Sequence, residues 1–384
     1  MESYQTWFDE GPELSVPRML GLFDRPADER AFGALLKAPA IPGLTESLTD
    51  LSPTELRTVL ARLRRARLLS GEDPHNPGHV DAHPLVREYF SEQLRSQRTE
   101  AWKESNRRLY NYYRTVAPSL PDTFRDMEPL FLAVICGCNA GLFREALHEV
   151  YIPRIQRGDC SFAANVLGAR GASLSVLVHF FEEGRWGSLV ERGAEGERLT
   201  AEDQLFILMQ AALYLMVTRG FQTPEVRICY ERAETLCRSL NRPRILHVAL
   251  IGQWRYSLFT DRLTATMRIA KGIYAVAQDR NDSALLMGAC RALAVTFYFL
   301  GDFETARQYA MRGVHIWRSG SVQSPVEEVD APPVLCLIHQ AQIEWLFGEI
   351  VSSHATMAAA ISLAKELNDM HGLALALHYS AVLG

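Results

Sequence analysis

The residues in this sequence best equipped for chemistry are arginines. Arg57, Arg62, Arg64, Arg65 and Arg67 crowd residues 54 to 70, where Glu55 is the only acid and the local charge is +4. Guanidinium groups at that density make bidentate, charge-assisted hydrogen bonds to phosphate. They suit a DNA backbone, a neighbouring domain's surface, or simple solvation, and packing or solvation is the favoured reading. His83 is the second candidate. Pro84 fits the first turn of a helix, so His83 stands beside the unpaired N–H groups at that helix's positive end, where a phosphate would be welcome. The third is Cys136-Gly-Cys138 with His148 ten residues on. Two thiolates one residue apart make a poor start for tetrahedral coordination, and no second pair follows at a suitable spacing. Buried structural cysteines, and no metal site, are expected there.

The common catalytic motifs are missing. No GxxxxGK[ST] is present, no GxGxxG follows a strand, and GxSxG, HExxH and paired CxxC are likewise absent. The sequence therefore predicts no enzyme, no catalytic residues and no bound cofactor, with ATP or ADP relevant only if a nucleotide-binding core is supplied upstream or by another chain.

Hydrophobic spacing indicates the elements that must position these residues. Residues 13 to 36 read as two short helices, with Pro26 opening the second. Ser52-Pro53-Thr54-Glu55 is a capping box with proline at the first helical position. The helix it starts carries Leu56, Val59, Leu60 and Leu63 at i, i+3, i+4 and i+7, with the arginines on its remaining surface. Leu68–Ser70 and His79–Ala82 then read as two short strands around the polar turn GEDPHNPG. Helix, turn, basic helix and hairpin in this order predict a winged helix over residues 13–98.

Beyond residue 100 strand alternation disappears. The stretch GACRALAVTFYFLGDFETARQYAMRGVHIW places Leu293, Ala294, Phe297, Gly301, Asp302, Phe303, Ala306, Ala310 and Gly313 on the spacing of a tetratricopeptide-like helix pair. Ala294, Ala306 and Gly313 permit close helix approach, and Gly301-Asp302 makes the turn. A second unit aligns 41 residues earlier if Thr260 takes the place of Gly301, with Ala265, Ile269 and Gly272 following. Further turns are read at Gly141, Gly220-Phe221 and Gly348. The fold class predicted is mainly α: a winged helix, a helical linker with the first repeat-like helices over 99–200, and a tetratricopeptide-like α-solenoid over 201–384 that stops part-way through a repeat. Trp254, Tyr256, Trp317 and Trp345 fit either the core or a concave binding face, with core the commoner outcome at helical spacing. Segments 182–199 and 319–333, rich in Gly, Pro and acids, read as exposed loops.

LSPTELRTVLARLRRARLL followed by AHPLVREYF resembles the winged-helix domain that follows the nucleotide-binding core in STAND signal-transduction ATPases of the NB-ARC and NACHT type. In that family a histidine before an L-x-R helix, often within Met-His-Asp, senses the β-phosphate of bound ADP. The matching position is His83, flanked by Ala82 and Pro84 in place of Met and Asp. The resemblance implies a regulatory and sensor half whose ATPase core would lie before residue 13. It also implies helical repeats that recognise a ligand, as in large bacterial predicted ATPases.

Composition fits such a chain. Of 384 residues, 48% are apolar and 22% charged, and the formal net charge of −5 gives no overall field toward nucleic acid or acidic lipid. The longest apolar stretch, Leu205 to Val217, is too short to span a bilayer, and the acidic N-terminus is not a secretory signal. A cytoplasmic location and seven reduced cysteines are expected. The predicted act is binding: a protein or peptide held on the repeats, with the event passed to an ATPase partner. The alternatives are a DNA-binding regulator using the five arginines, and a gene fragment without independent function. The terminal stretch His371–Gly384 is apolar around much of its circumference, which predicts an exposed patch or self-association there.

Overall fold

The computed structural model describes residues 11–76, 78–182, 185–190, 193, 198–260, 262–320, 322 and 331–383. Much of the predicted loops 182–199 and 319–333 falls outside them. The chain forms two compact units that divide between Leu199 and Thr200. Among the described residues the structure is helical, with no β-strand and only isolated bridges. No helix among them is long and apolar enough to cross a membrane.

The first unit begins with α1 (Pro12–Leu20), α2 (Glu29–Leu35), α3 (Glu46–Thr49), α4 (Pro53–Arg65) and α5 (Pro84–Gln97). Local chemistry sets these starts. Ser52 Oγ accepts from the Glu55 N–H and the Glu55 carboxylate accepts from the Ser52 N–H, so the capping box at α4 is formed as read. Helix α2 starts at Glu29 under an Asp28 cap rather than at Pro26, because Asp28 Oδ1 accepts the Ala31 N–H at 2.8 Å. The predicted hairpin is not a pair of strands. Ser70 N–H donates to Asp81 O at 2.8 Å, but Val80 exchanges both its backbone bonds with Ala27, which is distant in sequence. Alternation within 68–82 could not reveal that partner.

Helices α6 (Thr99–Val116) and α7 (Phe124–Asn139) pack antiparallel, and Gly141, at φ 81°, turns the chain into α8 (Phe143–Glu145). A π-helical segment continues from Ala146 to Gln156. From it Arg154 donates to the carbonyls of Arg114, Ala117, Pro118 and Ser119, closing the C-terminus of α6. Two short helices, α9 (Phe162–Asn165) and α10 (Arg170–Leu177), complete this unit. Its core gathers Phe90, Leu94, Leu109, Tyr110, Tyr151 and Phe180.

The second unit is a run of antiparallel helix pairs: α11 (Ala201–Arg219) with α12 (Pro224–Ser239), α13 (Pro243–Phe259) with α14 (Leu263–Arg280), α15 (Ser283–Phe299) with α16 (Phe303–Arg318), and α17 (Pro332–Leu346) with α18 (Ile350–Glu366). Helix α19 (Met370–Leu383) follows, packed on α17 and α18. The first helices of neighbouring pairs, α13, α15 and α17, pack directly on one another, while the second helices make no comparable contact. The stack is therefore an α-solenoid with its first helices drawn together. Helices α13, α15 and α17 are correspondingly buried on most sides, and Trp254 Nε1–H donates to Thr296 Oγ1 at 2.9 Å between α13 and α15.

The second helices bury one stripe each, and it recurs in register: Val226, Tyr230, Ala233 and Cys237; Thr266, Ala270, Ile273 and Ala277; Ala306, Ala310 and Gly313; Ser353, Met357, Ala360 and Ala364. This corrects one alignment. The repeat before Gly301 is displaced by 40 residues, not 41, so Ile273 rather than Gly272 is the counterpart of Gly313, and Ala265 and Ile269 give way to Thr266 and Ala270. Gly272 is exposed with open space around it, whereas a Cβ on Gly313 would lie 2.6 Å from Cys336 Sγ.

Candidate functional site

The five arginines lie on α4 and just beyond it, all exposed except Arg64, which is half-buried. They do not form one free basic surface. Arg62 pairs with Glu13 at 2.9 Å, Arg57 Nε donates to the Pro53 carbonyl at 3.2 Å, and Arg67 occupies the left-handed turn that ends the helix, at φ 59°. His83 caps α5 as the sequence suggests: its Nδ1 accepts the Leu85 N–H at 3.3 Å. The imidazole is exposed, and its Nε2 has no partner among the described residues.

Cys136 and Cys138 are buried in α7. Burial pushes the Cys136 thiol up to about 12 and raises Cys138 as well, which disfavours the thiolate that metal binding or nucleophilic attack requires. No group of three His, Cys, Asp or Glu side chains placed to hold a metal occurs among the described residues.

The second unit presents a surface that hydrophobic periodicity did not reveal. Its two kinds of turn differ. Turns that lead from one pair to the next use Asn241, Asn281 and Asn368, each in the left-handed region at φ 49 to 53°. They are polar, with Arg242, Asp282 and Asp369 beside them. Turns inside the pairs carry apolar residues at or next to the end of each first helix: Val217 after α11's last buried turn, Phe259 ending α13, Phe299 and Leu300 ending α15, and Trp345, Leu346 and Phe347 ending α17. All are exposed, Phe299 by 52% and Trp345 by 41%. Because α13, α15 and α17 lie side by side, Phe259, Phe299, Leu300, Trp345, Leu346 and Phe347 share one edge of the solenoid. Phe221 stacks on Phe259 at 4.8 Å between ring centres, linking the first two turns.

Two ion pairs flank this edge, while Arg262 and Glu304 are exposed there without an ion pair among the described residues. Arg307 grips Glu349 through two bonds of 2.9 and 2.6 Å and lies over the Phe347 ring, and Arg219 stands 4.0 Å from Glu225. An apolar centre with a polar rim is the anatomy of a protein-binding surface. Of the four aromatics considered for a concave face, Trp254 and Tyr256 are buried core, Trp317 is half-buried, and Trp345 belongs to the exposed edge.

No protein-family model and no curated protein matches the chain. Among solved structures it is similar to a Signal Transduction ATPase with Numerous Domains from Pyrococcus horikoshii that has a tetratricopeptide repeat sensor. The identity is 12%, covering 100% of this chain and 54% of that one, with a TM-score of 0.41. The chain thus spans about half the length of that protein. It is also similar to aspartyl phosphate phosphatase F from Bacillus subtilis, with 10% identity over 86% of this chain and 74% of that one and a TM-score of 0.43. BtubC from P. vanneervenii shares 13% identity over 70% of this chain and 92% of that one, with a TM-score of 0.39.

Proposed function

We propose that this chain is a non-catalytic regulatory module that binds a peptide segment of another protein along the apolar edge of its α-solenoid. The exposed run from Phe259 through Phe299 to Trp345 carries this reading. Successive repeats spend exposed aromatic surface at one place, and contiguous apolar surface of this kind marks an interaction site. With an apolar centre and rim ions of both signs, the fitting occupant is an amphipathic segment that offers apolar side chains rather than net charge. Peptides selected on the intact protein should lose at least about tenfold in affinity with Phe299→Ser or Trp345→Ser, the cost of removing an aromatic anchor. Because both positions are exposed, helicity by circular dichroism should be unchanged. Selected peptides that bind both variants at full strength would exclude the edge.

In the same reading, residues 13–98 act as a winged-helix module that couples binding to a STAND-type ATPase core supplied upstream or by another chain. The Ala27–Val80 bridge and the Ser70–Asp81 backbone bond, set among helices α1 to α5, support the module. The open Nε2 of His83 would contact a phosphate of nucleotide held by that core. His83→Asn keeps a cap and His83→Ala removes it, so equal effects of both on the partner's nucleotide hydrolysis, with unequal effects on stability, are expected. The exposed positions of Arg57, Arg62, Arg65 and Arg67 favour one alternative, contact with DNA phosphates. It requires affinity for duplex DNA that falls steeply with salt, and a salt-independent or undetectable interaction would exclude it.

A further inference from the structure

The first unit contains an open cavity of about 910 Å³ between α5, α6, α7 and the residues following α10. That is the size of a small-molecule site. Its inner wall is apolar and aromatic, with Phe23, Trp102, Ile135 and Phe181 lining it. Two polar groups on that wall are unspent. Tyr113, only 8% exposed, makes no hydrogen bond through its hydroxyl, and His179 makes none through its imidazole. Burial raises the Tyr113 pKa and lowers that of His179, keeping an O–H and a neutral ring facing the space. A bound group that reaches this O–H and this ring nitrogen gains hydrogen bonds beside the apolar wall.

The charges at the rim are unevenly committed. Arg25 pairs with Glu128 at 3.1 Å, and Arg87 pairs with Asp81 while also donating to the Asp24 carbonyl at 3.1 Å. Arg95 has an interaction of its own. On the acidic side Glu182 is paired with Arg185, but the carboxylates of Asp24, Glu88 and Glu92 have no ion pair or hydrogen bond among the described residues. Glu88 and Glu92 stand one turn apart on α5, a like-charge spacing that disfavours the helix. Each rim arginine thus has a partner, while the carboxylates of Asp24, Glu88 and Glu92 have none among the described residues.

We propose that this cavity binds a small organic cation, an ammonium group on an apolar or aromatic body. The body fills the wall beside Trp102, where a ring face also attracts the positive charge. The ammonium takes the carboxylates of Asp24, Glu88 and Glu92, and the Tyr113 oxygen and neutral His179 ring complete its hydrogen bonds. This site is independent of the solenoid edge and of the proposed peptide.

Calorimetric titration of the intact chain with phenethylamine and tryptamine, against phenylacetate and indole-3-acetate, tests the proposal. Both amines should bind saturably at one site at millimolar concentration or below, weaken with added salt, and bind roughly tenfold or more tightly than the matched acids. Glu88→Gln with Glu92→Gln should remove most of that preference, Tyr113→Phe should weaken the amines several-fold, and Phe299→Ser should change nothing. Acids that bind as well as amines would overturn the proposal. Amines that fail to saturate, or that bind the doubly substituted, normally helical protein at full strength, would overturn it equally.

Discussion

At the scale of residues, the cavity-lining imidazole of His179 ties stability to pH. Burial holds its pKa below the ordinary 6.5, ahead of the weaker opposing pull of Asp24. As the pH falls through that ordinary value the unfolded chain takes up a proton that the folded chain refuses, so this contribution to stability is intact above 6.5 and lost on acidification. His179→Asn should flatten the difference in denaturation midpoint between neutral and mildly acidic buffer, and an unchanged slope would contradict the burial argument. The cysteines give a second residue-level expectation. Cys160 is exposed and the other six are buried, so a native thiol titration should show one fast-reacting group of seven, and Cys160→Ser should abolish the fast phase. Local residue chemistry was legible from the sequence where the partner is close by: Ser52 with Glu55, and His83 with the start of its own helix. The cavity was not legible, because Phe23, Glu88, Tyr113 and His179 meet only when distant helices assemble.

At the scale of elements, two glycines separate the corrected repeat register from the first alignment. Gly272 lies inside α14 with nothing near its absent side chain, so Gly272→Ala should stabilise the protein by about 0.5–1 kcal/mol through helix propensity. Gly313→Ala drives a methyl group toward Cys336 and should destabilise by about 1–3 kcal/mol. Equal effects in chemical denaturation would contradict the register. The turns at Gly301 and Gly348 were readable because glycine there adopts φ of 80°, which other residues resist. The turn after Thr260 carries no glycine, and without that marker the alignment slipped by one residue. The expected hairpin failed for a different reason: Val80 found its backbone partners at Ala27, and pairing between remote segments leaves no local pattern.

At the scale of the whole molecule, the second unit is a stack whose stability comes from neighbours, and α19 packs on α17 and α18. Helix α19 buries Gly372 and Ala376 and packs Leu373, Leu375, Tyr379 and Leu383 partly against the stack, so of the large apolar residues in this stretch only Leu377 and Val382, together with Met370, are exposed. The apolar edge was harder to foresee. Phe259, Phe299 and Trp345 sit at helix ends within strongly hydrophobic sequence, and only the packing of first helix on first helix shows that these side chains are left outside the core. The claim that this edge is the binding surface is tested most directly by hydrogen exchange on the intact protein with and without a selected peptide. Protection should increase at the turns around Gly220, Thr260, Gly301 and Gly348 and stay unchanged at Asn241, Asn281 and Asn368. Protection confined to the asparagine turns, or absent from the second unit altogether, would contradict it.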